Sequence, residues 1–238
     1  MVRINLNKIA IYCDTSEEKN IIKYSKNSII KGFTTNPSLM KIAGVKNYEH
    51  FAKNIAQKIK NKPISFEVFS DDFREMCIQA RKISSWGGNI FVKIPISNSR
   101  GKKTLSVIKK LSFEKIKLNI TAVFDYKQIK GIKNNINKNS NVIISIFSGR
   151  IADTGRDPEE IVSKAVKLFK GYKYVKILWA STREIINIFH AQRSNCHIIT
   201  IPVPILKNLS KLNKNLLQYS KETVRQFYLD AKSSKFKV

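Results

Sequence analysis

The stretch NIFVKIPIS, residues 89–97, has the composition of a strand that is covered on both faces. Its Ile, Phe and Val residues are typical of parallel strands buried inside α/β proteins. Lys93 interrupts this apolar run, although lysine is among the residues least often fully buried. The stretch therefore predicts a sheet with both faces covered, and it places a primary amine inside that sheet.

Other segments of the chain share this character, because they are short, rich in Ile, Val and Phe, and bounded by residues that break strands. The predicted strands are 8–14, 29–35, 64–69, 90–95, 117–124, 142–149, 174–180 and 197–203. Strands that alternate with helices in 238 residues predict an α/β fold, a single-domain (β/α)8 TIM barrel over 1–238, since such barrels commonly take about 200–250 residues. A doubly wound open sheet is the alternative, and periodicity alone does not separate the two.

The stretches between the predicted strands carry signals for the start of a helix. Thr15-x-x-Glu18 has the spacing of a capping box. Ser70 precedes two acids and an apolar-periodic run through Trp86. Asp157-Pro158-Glu159-Glu160 combines a cap, a proline at the first helical position and acids in the first turn. Ser220 is predicted to open an extra C-terminal helix at about 220–233.

The chain is strongly basic, with 44 Lys and Arg residues against 17 Asp and Glu and a formal net charge of +27. A charge of this size is one basis for nucleic-acid binding. The alternative is a bias toward A+T-rich codons, which enriches Lys, Asn and Ile together, as in IKGIKNNINKNSN at 129–141. We favour the codon bias, because the lysines are spread along the chain without a recognisable nucleic-acid motif. The expectation is no specific nucleic-acid partner, with weak phosphate binding at low salt.

Composition also predicts a cytoplasmic protein without a membrane span. The chain has no window of 18 uncharged apolar residues, and its start lacks the features of a signal peptide. The cysteines are odd in number and far apart, which predicts free thiols in a reducing compartment; they are Cys13, Cys77 and Cys196. The histidines fall on separate predicted elements, so we expect neither a metal site nor a cofactor.

Polar residues recur where the predicted strands end, which is the end of a barrel that carries the active site. They are Asp14, Thr34, Thr35, Asn36, Glu67, Lys93, Asn119, Thr121, Ser145, Arg150, Ser181 and Arg183. Most have a structural alternative as a helix cap, turn residue, ion-pair partner or solvated charge. Lys93 is hardest to explain in this way, because burial disfavours its charged form and a neutral amine is a nucleophile toward carbonyl carbon. A buried ion pair with Asp14 or Glu67 is its structural alternative.

Several ordered motifs resemble those of the transaldolase family. They are GFTTNPSLM (32–40), VKIP (92–95), NITAVF (119–124), SIFSGRIADTG (145–155) and ILWASTRE (177–184), and YSKETVRQFYLDA (219–231) is similar to the C-terminal helix of short-chain members. The resemblance covers nearly the whole chain. It implies a metal-free single-domain barrel, usually a dimer or decamer, that acts on sugar phosphates. The implied reaction transfers a dihydroxyacetone unit from a ketose phosphate to an aldose phosphate.

The same resemblance implies a role for each candidate residue. Lys93 corresponds to the Schiff-base lysine and Asp14 to the general acid/base of the carbon–carbon bond step, where a neighbouring cation is expected to keep it ionised. Glu67 and Thr121 correspond to the pair that holds a catalytic water. The implied substrate-binding residues are Asn36, Asn119 and Ser145 for the three-carbon unit, Arg150, Ser181 and Arg183 for the sugar phosphate, and Thr34 and Phe147 beside them.

Two positions bear on the type of reaction. Fructose 6-phosphate aldolases carry Gln where Glu67 stands and Tyr where Phe147 stands, so both positions resemble transaldolases and favour group transfer over cleavage. Asn98 and Arg100, with GGN at 87–89, resemble a branch of short transaldolase-like proteins and leave the acceptor sugar open. The alternative functions are a fructose 6-phosphate aldolase-type lyase and, from a different class, a basic nucleic-acid-binding protein.

Overall fold

A closed barrel of parallel strands forms the centre of the computed structural model, which describes residues 8–234. The strands are β1 (Ala10–Asp14), β2 (Ile30–Thr34), β3 (Ile64–Glu67), β4 (Ile90–Pro95), β5 (Leu118–Val123), β6 (Val142–Ile146), β7 (Val175–Trp179) and β8 (Ile198–Pro202). Each strand pairs with the next, and β8 pairs with β1, which closes the sheet. The (β/α)8 barrel is confirmed and the open sheet is wrong; each predicted segment contains the observed strand.

Helices connect the strands along the outside of the barrel. They are α1 (Glu18–Ser25), α2 (Pro37–Ile42), α3 (Tyr48–Lys58), α4 (Phe73–Ser84), α5 (Leu105–Phe113), α6 (Tyr126–Lys133), α7 (Ser148–Ala152), α8 (Pro158–Leu168), α9 (Asn187–Arg193), α10 (Val203–Leu206) and α11 (Leu216–Ser234), with a 3₁₀ turn at Lys207–Lys211. None of the helices within residues 8–234 combines the length and apolar character needed to cross a membrane. The three cysteines are buried and unpaired, as predicted.

The alternation of side chains along each strand produces two apolar cores. In β4, Val92 and Ile94 are fully buried in the larger core between the strands and the helices. The second core fills the inside of the barrel and contains Tyr12, Phe91, Ile143, Leu178 and Ile198. Phe91 belongs to that inner core, so Lys93, two residues further along β4, also faces the inside of the barrel.

Tyr12 and Gly32 close the lower half of the barrel interior. A Cβ atom on Gly32 would lie 2.6 Å from the ring of Tyr12, so only glycine leaves room for this ring. Burial raises the pKa of Tyr12 to about 12, and the phenol stays neutral at physiological pH. Polar residues above this layer therefore form the floor of a cavity and not the lining of a channel.

Two of the predicted helix starts are displaced by a few residues. Helix α1 begins at Glu18, so Glu18 is its first residue and not the third residue of a capping box. The Thr15 hydroxyl accepts the Glu17 N–H (3.2 Å) in a local turn. Helix α4 is capped by Asp72, whose carboxylate accepts two N–H groups at 2.9 Å, while Ser70 accepts the Asp72 N–H. The predicted start at Asp157 is confirmed, since its carboxylate accepts the N–H of Glu159 (2.8 Å) and caps α8.

The extra C-terminal helix is confirmed, but it begins earlier than Ser220. Helix α11 starts at Leu216, because the side chain of Asn215 accepts the N–H of Gln218 (3.0 Å) and supplies the cap. No residue of α11 is buried, and large apolar side chains such as Leu216 and Phe227 are exposed.

Candidate active site

A cavity of about 460 Å³ opens at the carboxyl end of the barrel. With the exception of Asn119, every residue assigned a role from the sequence contributes to its wall: Asp14, Thr34, Asn36, Glu67, Lys93, Thr121, Ser145, Phe147, Arg150, Ser181 and Arg183. A wider groove of about 600 Å³ lies at the opposite end of the barrel and contains none of these residues. The candidate catalytic and binding side chains therefore lie together in the cavity at the carboxyl end of the barrel.

The amine of Lys93 is held at the cavity floor by two acceptors. Its Nζ lies 2.9 Å from Glu67 Oε2 and donates to the Thr35 carbonyl oxygen at 2.9 Å. The pairing of β3 with β4 sets Glu67 directly beside Lys93. Lys93 is only 6% exposed, so the ion pair explains how a charged amine is tolerated there. The same pair gives the ammonium proton a direct path to a carboxylate, which is how a buried amine becomes a nucleophile.

Asp14 is the last residue of β1 and also lines the floor of the cavity. Its Oδ1 accepts a hydrogen bond from the Thr34 hydroxyl at 2.7 Å. Burial raises the pKa of Asp14 above its usual value; the Thr34 bond and the charge of Lys93 oppose this shift, and the charge of Glu67 adds to it. The charge of Lys93 favours the ionised carboxylate, as the sequence predicts, but the loss of hydration outweighs this attraction, so the net shift of the Asp14 pKa is upward.

A chain of hydroxyl groups supports Asp14 from behind. The Oγ1 atoms of Thr34 and Thr200 are 2.6 Å apart. Thr34 has one hydroxyl proton, which it gives to Asp14, so Thr200 must be the donor in the second bond. Sequence analysis missed Thr200, although it stands out in the same way as Lys93, as one polar residue within the apolar run IITIP of β8.

Asn119 lies beneath the cavity and does not form part of its wall. It is fully buried; its Nδ2 donates to Ser65 Oγ at 3.0 Å and its Oδ1 accepts from Ser145 Oγ at 2.6 Å. The Ser145 proton points at Asn119, which leaves the lone pairs of Ser145 for a donor in the cavity. In this structure Asn119 orients Ser145, and Ser65 is a further residue that the sequence did not reveal.

The rim of the cavity contains strained backbone. Ala122, next to Thr121, and Ser181 both have positive φ angles, +55° and +62°; conformations of this kind cost non-glycine residues about 1–3 kcal/mol. The pairing of β5 with β6 shifts register between Ile120 and Val123, and Thr121, on the same face of β5 as Asn119, lines the cavity. Ser181 is seated against Gly149, where a Cβ atom would lie 1.6 Å from the Ser181 carbonyl oxygen.

Two arginines line the outer part of the cavity. The guanidinium of Arg183 forms an ion pair with Asp153 (2.5 Å), a residue that the sequence did not single out. The guanidinium of Arg150 lies over the ring of Phe147, 5.5 Å from its centroid. Guanidinium groups bind phosphate oxygens in a bidentate manner, so this end of the cavity suits an anionic group. An anion at Arg183 would compete with Asp153.

Comparison with known proteins identifies the family of the chain. The family described as "Transaldolase/Fructose-6-phosphate aldolase" matches residues 11–238. The chain belongs to this family. A "Probable transaldolase" of Thermoplasma volcanium is 34% identical over 204 residues, which cover 84% of this chain and 87% of that protein. A "Probable transaldolase" of Dehalococcoides mccartyi is 30% identical over 201 residues, with 84% and 89% covered.

Two solved structures share the barrel fold with this transaldolase-family chain at low sequence identity. KGPDC from Streptococcus mutans superposes with a TM-score of 0.57 at 10% identity, covering 84% of this chain and 89% of that one. A 2,3-dimethylmalate lyase also gives a TM-score of 0.57, at 8% identity with 93% and 84% covered. At this level of identity the likeness establishes the fold alone.

Replacing Thr200 tests the hydroxyl chain behind Asp14 of this family member. We expect Thr200→Val to move the acidic limb of the kcat/KM profile upward by about 0.4–1.1 pH units. The lost hydrogen bond is worth about 0.5–1.5 kcal/mol, and it favours the ionised carboxylate. Thr200→Ser keeps the hydroxyl and is expected to keep the wild-type limb. An equal loss of activity at every pH in Thr200→Val would contradict this role.

The raised pKa of Asp14 also has a consequence for stability. A carboxyl group that binds its proton more tightly in the folded state destabilises the fold as pH rises above the unfolded value of about 3.9. Asp14→Asn is therefore expected to match the wild type near pH 3.5 and to become more stable than it as pH rises through the folded pKa. Thermal unfolding midpoints measured from pH 3.5 to 8 check this, with exposed Glu184→Gln as the control. A variant that is less stable at neutral pH would refute the expectation.

Proposed function

We propose that the protein is a transaldolase, which transfers a dihydroxyacetone unit from a ketose phosphate, fructose 6-phosphate or sedoheptulose 7-phosphate, to an aldose phosphate. The observation that carries this proposal is the amine of Lys93, buried at the cavity floor 2.9 Å from Glu67 and within electrostatic reach of Asp14. A nucleophilic amine, a proton acceptor for it and a separate acid/base are the groups that Schiff-base cleavage of a ketose requires.

The first step makes the ketose carbonyl into an electron acceptor. Lys93 passes a proton to Glu67 and attacks the carbonyl carbon, and loss of water leaves an iminium ion. Thr121 stands on the wall near this point, and we assign it, with Glu67, to holding the water that is released and later consumed. A ketone is a poor electron sink, whereas the iminium accepts the electron pair of the bond to be broken.

Asp14 moves the proton in the bond-breaking step. The carboxylate takes the proton of the C4 hydroxyl, the C3–C4 bond breaks, and its electrons form an enamine on Lys93 while an aldose phosphate leaves. An acceptor aldose phosphate then reacts by the reverse sequence, in which Asp14 returns the proton. A raised pKa makes the Asp14 carboxylate a stronger base toward the C4 hydroxyl and keeps the proton it has taken in place for the reverse step, which suits a group that acts in both directions.

Substrate contacts are assigned from the placement of the remaining wall residues. Asn36 and Ser145, the latter oriented by Asn119, face the hydroxyls of the three-carbon unit with Thr34 and Phe147 beside them. Arg150, Ser181 and Arg183 face the phosphate at the outer end.

Arg183→Ala is expected to raise KM for phosphorylated sugars by about tenfold or more, since a charge-assisted hydrogen bond contributes about 1.5–3 kcal/mol. Turnover with unphosphorylated dihydroxyacetone as the donor should be spared. Asp153→Asn removes the competing carboxylate and should lower KM for the same sugar phosphates. Steady-state kinetics on both substrate types checks this, and an equal loss for both would remove Arg183 from the phosphate site.

A coupled assay with fructose 6-phosphate tests the proposed function. Formation of glyceraldehyde 3-phosphate should be strong with erythrose 4-phosphate present and slow without it. Rapid formation of glyceraldehyde 3-phosphate and free dihydroxyacetone without an acceptor would favour the second candidate, a fructose 6-phosphate aldolase-type lyase. That candidate is retained because the family description covers both activities.

We also propose a cytoplasmic homo-oligomer, a dimer or decamer. The three unpaired cysteines fit a reducing compartment. The exposed apolar residues of α11, among them Leu216, Phe227 and Tyr228, form the kind of surface that subunits cover.

A further inference from the structure

The charge of the chain is distributed unevenly between the two ends of the barrel. At the carboxyl end, the connections that follow strands mix both signs, with Asp71, Asp125 and Asp153 among the acids. At the amino end, most helix-to-strand connections carry lysine, and Glu114 is the only carboxylate in the connections that the structure describes there. Glu114 is already bound by Arg81. The lysines are spread along the sequence, but the fold collects many of them on one face.

The groove of about 600 Å³ lies on this basic face, between the end of α8 and the starts of β7 and β8. Its floor is apolar, with Phe169 and Val175 buried. Its lining includes Lys167, Lys170, Lys173 and Lys176 and contains no carboxylate among the described residues. None of these lysines has a carboxylate partner in the part of the chain that the structure describes. The groove is a concentrated positive field that the protein itself does not neutralise.

Aromatic rings alternate with the lysines in this segment, which reads KGYKYVK at 170–176. Tyr172 lines the groove, and Tyr174 is 40% exposed beside it. The ammonium of Lys173 lies 5.4 Å from the centroid of the Tyr174 ring. Lysines that follow a phosphate backbone, with aromatic rings on which bases stack, are the combination that binds single-stranded nucleic acid without sequence preference.

His197 adds a neutral donor to the groove. Its Nδ1 accepts the backbone N–H of Ile177 at 3.0 Å, which leaves the proton of the neutral ring on Nε2. Burial, helped by the charge of Lys176, lowers the pKa of His197, so the ring is uncharged at neutral pH. Lys176 therefore lies close enough to His197 for its charge to disfavour a protonated ring.

The helix dipole explains only part of this pattern. Cations are favoured at the carboxyl ends of helices, and those ends lie at the amino end of the barrel, which accounts for Lys167 and Lys170. Lys176 is the second residue of β7 and Lys31 the second residue of β2, and neither stands at a helix end. Codon bias does not favour one face over the other.

We infer that the groove at the amino end of the barrel is a binding surface for single-stranded nucleic acid, read through its phosphates and base faces and not through its sequence. Arginine is absent from the described lining, and arginine is the residue that forms the commonest specific base contacts. The surface lies at the opposite end of the barrel from Lys93, so its occupation and sugar phosphate turnover are independent. Nucleic-acid binding at this surface goes beyond the proposed enzymatic function, and it does not depend on that proposal being correct.

Fluorescence anisotropy with a labelled 20-nucleotide oligo(dT), in 50 to 200 mM KCl, tests the inference. The variant Lys170→Gln/Lys173→Gln/Lys176→Gln is expected to bind at least about tenfold more weakly and to reduce the slope of log affinity against log salt by about 2, since each phosphate contact on a single strand contributes about 0.7. The control Lys109→Gln/Lys127→Gln/Lys221→Gln removes the same charge from exposed positions elsewhere and should lose less than about threefold. Equal loss in both variants would overturn the localised surface.

Further arms identify the ligand. Tyr174→Leu should weaken oligo(dT) binding about fivefold or more, because stacking contributes about 1–3 kcal/mol per base, and it should not affect inorganic polyphosphate. If polyphosphate or anionic lipid vesicles bind as tightly as oligo(dT), and Tyr174→Leu changes nothing, the nucleic-acid assignment is wrong. Fructose 6-phosphate at saturation should not displace the oligonucleotide; displacement would move the binding to the cavity of Lys93. Turnover of the triple variant should equal that of the wild type, which reports its folding.

Discussion

Lys93→Met is expected to abolish turnover and covalent trapping together. Borohydride added with fructose 6-phosphate or dihydroxyacetone should inactivate the wild-type enzyme and attach one three-carbon label, and peptide mapping should place that label on Lys93. Most other lysines that the structure describes are exposed to solvent. Among the lysines of residues 8–234, only Lys93 combines burial with a carboxylate 2.9 Å away that can take its proton. Turnover should fall by at least about 10³-fold, because the iminium route is lost entirely.

Lys93→Arg separates the chemistry from the charge. Arginine keeps a cation beside Glu67 but forms no iminium, so this variant should also be inactive and unlabelled. Circular dichroism and the thermal midpoint establish that both variants fold. A label on another lysine, or full activity in Lys93→Met, would mean that the ion pair with Glu67 is structural and that the proposed mechanism is wrong.

The second large effect is the dependence of turnover on an acceptor. With fructose 6-phosphate alone, release of dihydroxyacetone should be about 100-fold slower than transfer to erythrose 4-phosphate. Release requires a proton on the enamine carbon, and the cavity side that Phe147 occupies offers a ring without a proton donor. A positioned acid typically contributes 10²–10⁴-fold.

Phe147→Tyr supplies such a donor and should increase release without acceptor while transfer declines. Phe124→Tyr is the matched control, because the two rings are neighbours at 5.6 Å but Phe124 is not part of the cavity wall. Fast release by the wild type, or the same change in both variants, would contradict the assignment of Phe147.

The barrel was predictable from the sequence, because a strand that is covered on both faces consists almost entirely of apolar residues. The same rule exposed Lys93, since a single polar residue inside such a run is conspicuous. Thr200 followed the same rule in β8 and was missed. Helix starts were less accurate, because Asp72 and Asn215 compete as caps with nearby serines, and only the backbone decides which side chain reaches an N–H group.

Other features depend on distances that a linear sequence does not contain. Asp153 meets Arg183 from a different connection, and Asn119 is separated from the cavity by Ser145. The direction of the Asp14 pKa shift required the balance between burial and two opposing contacts. The basic face at the amino end arises from lysines that are far apart along the chain and become neighbours only when the barrel closes.

Helix α11 buries none of its residues, so the barrel contributes little to holding it in helical form. In proteins most of the stability of a helix comes from packing of its apolar face, so we expect α11 to gain stability when a further surface covers it. The molecule consequently has two kinds of stability. In the proposed homo-oligomer the barrel is held by contacts within one chain, whereas the stability of α11 is expected to rise with protein concentration, because a second subunit would cover it.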